Sequence, residues 1–507
     1  MTREDFKRRA EISIAVKPEY AQLMRETITA QKAQTTADIT LEPSVDLRAL
    51  SELMIQAFGE GNVTIEERDR KQHGRTMSGG HLAVPDVIVY PSTIDQIQWL
   101  SIFASSNKIP LVPYGQGTSF ESNCSRAGIT INLSRMCKIL HFYSEDREIR
   151  VQAGASQQDV NDYLRDSGCY FPMDNECAAS VGGMIATNAA SAGQWRMCDL
   201  VRSVAVVLAD GSLVRTHPSR AKLSSTGPDL TSLFIGSEGC LGIIVEATLG
   251  LLPVPKSITV GICTFSSLAE AIDASTTITS KQQHNLHRCQ LVSPTMIESL
   301  NVFHNIDFPV LPTLFMEAHG VSRGGSDFVI EACKDLCRER GMQDFIQYAD
   351  TDDAPEPKLW AARSTFWLSL LQKGSEKGEE LMLVDVAVPA SRFKEALVHC
   401  LDEASRCGLG PLGAMCNNLL GSIILATKIS IHNHKHLQQF QQFKDAVSRK
   451  IVQSYEGSCG ATFGFGKRPD LLSLELGASE MKLLGSLKHE LDPHGIMNPD
   501  IKFLHYK

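Results

Sequence analysis

Three clusters of glycine and other small residues, each beside a short apolar run, most constrain how this chain folds. The first is Pro113-Tyr114-Gly115-Gln116-Gly117-Thr118-Ser119, which closes the run IPLV at 109–112. The second spans Ser180 to Gly193 and holds nine small residues in fourteen positions. The third is Gly236-Ser237-Glu238-Gly239-Cys240-Leu241-Gly242. Without a Cβ the backbone approaches a ligand or another backbone closely, and successive N–H groups in such a turn form a nest for an anion such as a pyrophosphate. The first cluster lacks the Gly-Lys-Ser/Thr of a P-loop and the third glycine of the Rossmann fingerprint. Taken singly, each cluster reads equally as architecture: a tight turn, a close helix crossing, a strand bulge.

The pattern around them is mixed. VPDVIVYP (84–91), IPLVPYG (109–115) and GITINLSRM (128–136) read as buried strands. Ser92-Thr93-Ile94-Asp95 opens a helix to about Ser106, and QQDVNDYLRDSG (157–168) is a short amphipathic helix stopped by Gly168. Asp146-Arg147-Glu148 marks one hairpin, and Asp210-Gly211 inside SVAVVLADGSLVRT (203–216) another. Strands, helices and hairpins in this order predict an α+β fold, not a strictly parallel sheet. LLPVPK (251–256), with two prolines, reads as a domain boundary. Beyond it, longer helical patterns around TLFMEAHG (313–320) and ELMLVDVAVP (380–389) predict a second domain.

Composition narrows the classes. With 507 residues, 43% hydrophobic and 21% charged, the chain suits about two to four globular domains. The net charge of −9 without a basic run argues against a nucleic-acid partner. No apolar stretch reaches the roughly 18 residues of a transmembrane helix. The N-terminus mixes Glu4, Asp5 and Glu11 with Arg and Lys, which fits neither a secretory signal nor a transit peptide, so a cytoplasmic protein is expected. Fourteen cysteines without a CxxC pair predict buried apolar thiols, not a disulfide framework or zinc site. His432, His434 and His436 read as a polar loop or helix end, and the run Glu66–Lys71 as a solvated face.

Order and spacing together carry a resemblance. Pro113–Ser119, INLSRM (131–136), FPMD (171–174), VGGMIATNA (181–189), VLADG (207–211) and TGPDLTSLFIGSEGCLGII (226–244) resemble the FAD domain of the vanillyl-alcohol-oxidase, or PCMH-type, flavoproteins. LWAAR (359–363), LVDVAVP (383–389), FGFGKR (463–468) and LDPHGIMNP (491–499) extend the likeness to the D-lactate dehydrogenase (cytochrome) and D-2-hydroxyacid dehydrogenase branch. The resemblance implies an N-terminal helical extension and the start of the FAD domain over 1–80, an FAD-binding domain over 81–256, an α/β cap over 257–483 and a C-terminal segment over 484–507 that returns to the FAD domain. It implies that Pro113, Tyr114, Gly115, Gln116, Gly117, Thr118 and Ser119 hold the FAD pyrophosphate. Gly182, Gly183 and Thr187, with Gly193 in the same region, would line the isoalloxazine and ribityl side. Glu238, Gly239 and Ile244 would surround the adenine and pyrophosphate end, and Asn498 would close over the flavin. Arg363 matches the arginine that clamps a substrate carboxylate, a task suited to a guanidinium fork.

The departures define the expected chemistry. The family's metal motif, Gly-His-x-Gly-Asp-Gly-Asn-x-His, meets Gly413-Ala414-Met415-Cys416-Asn417-Asn418-Leu419-Leu420-Gly421, with Ala414 and Gly421 in place of both histidines. Its Gly-Glu-His-Gly-Ile-Gly, source of an acidic ligand and the proton-accepting histidine, meets Cys459-Gly460-Ala461-Thr462-Phe463-Gly464-Phe465-Gly466. No metal is therefore expected. The FAD half departs only at Ala190 and Met197-Cys198. Neither His73 nor His81 sits in a linking motif, so FAD is expected to be non-covalent. The implied activity is FAD-dependent oxidation, by hydride transfer to flavin N5, of a small organic substrate other than D-lactate, a carboxylate being a candidate. His319, Tyr455 and Cys416 are candidate bases; for His319 a satisfied core histidine is the competing reading. A homodimer is compatible with this, and the electron acceptor is not specified. A non-redox isomerase or cyclase on the FAD scaffold and a catalytically inactive homologue stay open.

Overall fold

The computed structural model describes residues 47–74, 84–119, 128–173, 179–222, 224–282, 286–349, 359, 362–372, 379–430, 432–460, 462, 464–466 and 468–502. His81, Asp174, Trp360, Ala461 and Phe463 lie outside these residues.

The first domain stacks two sheets. Strands β1 (Val63–Thr64), β2 (Val87–Val89), β3 (Leu111–Tyr114) and β4 (Ile129–Asn132) lie in the order β1-β2-β4-β3, with β2 and β3 parallel to β4. The helix Ile94–Asn107 makes the crossover from β2 to β3. It starts where expected because Thr93 and Gln96 form a reciprocal capping box, and it ends at Lys108 in the left-handed conformation, φ 54. Strands β5 (Ile139–Tyr143), β6 (Glu148–Gln152), β8 (Val201–Val207), β9 (Leu213–Arg215) and β10 (Ile243–Gly250) form an antiparallel sheet in the order β5-β6-β10-β8-β9. Both anticipated hairpins, β5–β6 and β8–β9, are present. At the expected boundary, β11 (Leu252–Pro253) pairs with β7 (Cys169–Tyr170). Leu100, Ile131, Phe171, Ile185, Val206 and Ile243 share one core with Ile496 and Met497. The chain therefore returns to its first domain after completing the second.

The second domain is one antiparallel sheet of eight strands: β12 (Ser257–Phe265), β13 (Leu286–Val292), β14 (Thr313–Gly320), β15 (Met342–Ala349), β16 (Glu379–Ala387), β17 (Gly413–Asn417), β18 (Ser422–Ser430) and β19 (Ser458–Cys459). Their order is β15-β12-β14-β13-β17-β18-β16-β19. Side chains alternate across a strand, so the sheet has two faces. One, with Cys289, Leu291, Leu314, Met316, Ala318, Ala414 and Cys416, packs under the helices Leu268–Gln282, Arg323–Arg338, Phe393–Arg406 and His434–Tyr455. The other, with Val260, Ile262, Val292, Phe315, Leu383 and Ile424, packs on the helices Pro294–His304 and Phe366–Gln372. His434 and His436 open the long helix His434–Tyr455, capped by Asn433, in keeping with a helix end. Many of the thiols are buried in these cores.

Phe443 is fully buried on the helix His434–Tyr455 against the first of these faces. Phe443→Ala is expected to destabilise the second domain by about 3–5 kcal/mol, read as a lowered urea midpoint of its unfolding transition.

Candidate functional site

The three glycine clusters converge in space. A Cβ on Gly115 would lie 2.2 Å from Ser180 Oγ, one on Gly239 would lie 3.0 Å from Pro113 Cγ, and one on Gly236 would lie 3.5 Å from Asn188 Cβ. Gly117 has φ +67, with Tyr114 folded over it. Among the described residues, the backbone N–H groups of Gly115, Gln116, Gly117 and Thr118 have no hydrogen-bond partner. Four consecutive unpaired donors in a glycine turn suit pyrophosphate oxygens, so the residues present fit an FAD phosphate seat. Ser180 caps the helix Val181–Thr187 by accepting from Gly183 N–H at 3.3 Å. Gly182 has a packing role: its N–H donates to Ala153 O at 2.7 Å, where a Cβ would strike Ala153 Cβ. Thr187 Oγ1 donates to Gly183 O at 3.1 Å. Ile244 lies in the core of the first domain on β10.

His73 supports this turn. Asn132 Oδ1 accepts Ser134 N–H at 2.9 Å, which orients the amide so that Nδ2 donates to His73 Nε2, also at 2.9 Å. His73 Nδ1 therefore carries the proton and donates to Asp69 O at 2.8 Å. The imidazole is neutral with both nitrogens engaged, and burial pushes it below its ordinary value. Its ring lies 4.4 Å from the Tyr114 ring.

Glu238 joins three segments. Its carboxylate accepts Phe465 N–H at 2.7 Å and Gly466 N–H at 3.1 Å, and it pairs with Lys502 at 3.2 Å. Its backbone N–H donates to Ala186 O, and Asn498 Nδ2 donates to its carbonyl at 2.7 Å. The carboxylate thus holds the second domain and the C-terminal segment against the first.

The second sheet carries a cluster of polar and charged groups. On the face shared with Phe315 and Val292, alternation continues toward the first domain with Arg288, Gln290, Glu317, His319, Asp385 and Asn417. Arg288 is opposite Glu317 in the β13–β14 register, and its Nε donates to Glu317 Oε2 at 3.1 Å. His319 Nε2 donates to Glu317 Oε1 at 2.6 Å. Burial opposes ionisation of Glu317, but Arg288, the His319 hydrogen bond, His287 and the charge of Arg363 outweigh it and hold the carboxyl well below the usual range. His319 Nδ1 has no partner among the described residues, and its side chain is 21% exposed against 9% for Glu317. The pair is a carboxylate-oriented imidazole with one nitrogen available for a proton. His287 occupies a bulge between Leu286 and Arg288, and its ring stacks on His319 at 3.8 Å. Such bulges re-aim a side chain. Arg363 sits in the single turn Arg363–Thr365 leading into the helix Phe366–Gln372 on this face.

Cys416 and Tyr455 are not brought to this group. Cys416 pairs with Leu291, points into the opposite face, and has its thiol pushed far up by burial. Tyr455 ends the helix covering that opposite face, its ring 5.8 Å from His399. Its hydroxyl is pushed up by burial.

The family's metal does not fit its own motif here. Ala414 is buried in the opposite face. Gly421 has φ +68, and a Cβ there would lie 2.0 Å from Val388 O, so a histidine cannot stand there without moving backbone. His287, Glu317 and His319 bring three donor atoms within 4.8 Å of one another. The two rings are nearly parallel, 15° apart, so their in-plane lone pairs do not converge. Both carboxylate oxygens are already engaged, by Arg288 and His319. A cation there would also face the charges of Arg288 and Arg363.

Motif reading located the glycine clusters, His319 and Arg363, but not Arg288, Glu317, His287 or Asn417. The available signal was the lone acid in TLFMEAHG and the polar-apolar alternation of RCQL in strands otherwise apolar.

The first domain thus carries a glycine turn with free N–H groups, the second an imidazole–carboxylate pair, and the matches to known proteins make the chain an FAD-linked oxidoreductase. Residues 85–217 match the FAD binding domain and 254–501 the C-terminal domain of FAD linked oxidases. The chain is 30% identical over 454 residues to the mitochondrial D-lactate dehydrogenase (cytochrome) of Arabidopsis thaliana, covering 87% of this chain and 77% of that protein. It is 26% identical to the D-2-hydroxyglutarate dehydrogenase of Xanthomonas citri pv. viticola, covering 90% and 96%. The fold superposes on p-cresol methylhydroxylase with a TM-score of 0.74 at 15% identity, covering 91% and 97%. The chain belongs to the FAD-linked oxidase family that includes the D-lactate and D-2-hydroxyglutarate dehydrogenases, and its cofactor is FAD. Among the described residues no helix is long and apolar enough to cross a membrane.

Two outcomes follow from this geometry. Glu238→Gln removes the charge that pairs with Lys502 and sets an NH₂ against one of the two backbone N–H groups that need an acceptor. It should cost about 3–5 kcal/mol and release FAD, measured by thermal unfolding and flavin fluorescence. Because burial lowers His73 in the folded state, the unfolded chain takes up a proton that the folded chain refuses. Stability should therefore fall as pH drops below the ordinary value of 6.5, and His73→Phe should flatten that part of the stability–pH curve.

Proposed function

We propose that the protein oxidises a 2-hydroxy acid other than D-lactate at non-covalently bound FAD, without a metal, with His319 as the base. The observation that carries this is the Glu317–His319 pair, joined at 2.6 Å and facing the first domain. Arg363 would hold the substrate carboxylate, a bidentate task for its guanidinium. His319 Nδ1 would take the hydroxyl proton. Glu317, held ionised by Arg288, would orient the ring and stabilise the imidazolium that forms. Bound FAD supplies the hydride acceptor, N5. Loss of metal polarisation is the reason to expect a substrate with a more activated carbinol than D-lactate. Both nitrogens of His73 are engaged, which supports non-covalent attachment. The expectation of a cytoplasmic protein rests on the mixed-charge N-terminus, while the Arabidopsis relative is named mitochondrial. Cell fractionation separates the two.

The test is anaerobic mixing of metal-free holoprotein with a panel of 2-hydroxy acids while the flavin absorption is followed. Bleaching by one acid, unchanged by chelator, is expected. Product formed without bleaching would transfer the reading to a non-redox reaction on the same scaffold, and inertness to every acid would overturn it. His319→Gln should lower the reduction rate by about 10²–10⁴-fold with FAD retained. Arg363→Lys should act mainly by raising the substrate concentration needed for half-maximal rate.

A further inference from the structure

We infer that Asn417, which stands where the family's metal motif has its aspartate, is a positioning residue that clamps the second domain onto the loop 191–193 of the first. Its Nδ2 donates toward three carbonyl oxygens: Gly193 O at 2.5 Å, Ala192 O at 3.2 Å and Ser191 O at 3.4 Å. The amide orientation is fixed from the other side, because its Oδ1 accepts Leu419 N–H at 3.1 Å. The side chain is buried, 7% exposed. Three converging acceptors demand a donor. A carboxylate in the same place would set negative charge against three carbonyl dipoles, out of water, and would lose the attraction as well. The change from aspartate to asparagine is thus what this contact requires.

The loop is built to receive the amide. The Ser191 hydroxyl accepts the N–H groups of Gly193 and Trp195, both at 3.2 Å, and Ser191 N–H donates to Trp195 O at 2.8 Å. These bonds fold the loop back on itself and leave its carbonyls facing Asn417. On its other side the loop meets β13. A Cβ on Gly193 would lie 2.9 Å from His287 O and 3.2 Å from His287 Nε2, so the glycine lets the loop sit on the histidine. His287 stacks on His319, which bonds Glu317. One continuous contact therefore runs from Asn417 through the loop to the imidazole pair. Asn417 fixes how far the small-residue region of the first domain stands from that pair. The segment that matches the metal motif is here an interdomain clamp.

The functional consequence rests on the proposal that Gly182–Gly193 lines the flavin and that His319 is the base; the clamp itself rests on the hydrogen bonds. The test compares wild-type holoprotein with Asn417→Asp and Asn417→Ala, using three readouts. They are FAD affinity from flavin fluorescence, the shape of the flavin absorption bands, and kcat against KM for whichever acid reduces the wild type. Asn417→Asp should weaken FAD binding at least tenfold and alter the band shape, with Asn417→Ala intermediate, while both apoproteins unfold cooperatively. Where the wild type turns over, kcat should fall and KM should hold. An Asn417→Asp holoprotein with wild-type affinity and bands overturns the clamp. If Asn417→Asp does not fold, Asn417→Ala decides by the same two spectroscopic readouts. A wild type inert to every acid whose Asn417→Asp variant still loses FAD overturns the catalytic reading and leaves the clamp standing.

Discussion

The buried carboxylate of Glu238 is the interaction on which the two-domain arrangement depends. An ionised group out of water is tolerated only when it is paired and its lone pairs are filled. Here the partners come from three distant segments: Phe465 and Gly466 from the second domain, Lys502 from the C-terminal segment, and Ala186 and Asn498 around the Glu238 backbone. The carboxylate thus ties the domains together beside the place where Gly464 meets Thr187.

The chemistry of the second domain comes from one alternation carried to the end of a sheet. Where helices cover it, the face is Val260, Ile262, Phe315 and Leu383; where it meets the first domain, the same face becomes Arg288, Glu317 and His319. Arg288, 3% exposed, would be costly alone, as would Glu317. Opposed in register, they neutralise each other, and the remaining carboxylate oxygen is free to orient His319. The bulge at His287 adds the second ring without lengthening the strand. This group lies on the face opposite Ala414 and Cys416, while Asn417, next in the same strand, lies on the group's own face and ties it to the loop 191–193.

Much of the first domain was legible in sequence because its signals are local. Glycine turns, the Thr93–Gln96 cap and the Asp210-Gly211 hairpin each act within a few residues. The resemblance to FAD-linked oxidases extended that to both domains. The polar face of the second sheet was less legible because its members are neighbours only through strand pairing. Arg288 and Glu317 are 29 residues apart, and Asn417 and Gly193 are 224 apart. His319 was visible as a histidine, but its meaning depends on Glu317, two residues earlier on the same side of the strand. Cys416 looked reactive because it stands in a motif, while the alternation of β17 turns it into the core. No short window shows which face a strand residue takes when both faces are covered.

The return of residues 496–498 to the first domain gives the molecule an order of assembly. Strand β3 lies at the edge of its sheet, and its open side is taken by the returning segment: Leu111 N–H donates to Ile496 O at 2.8 Å, and Asn498 N–H to Leu111 O at 2.8 Å. The Asn498–Glu238 bond spans 260 residues of sequence. On a chain emerging from the ribosome, that edge and the glycine turn beside it wait, unpaired, until the whole second domain has been made. The edge strand that leads into the glycine turn is thus the last of its sheet to be paired on both sides.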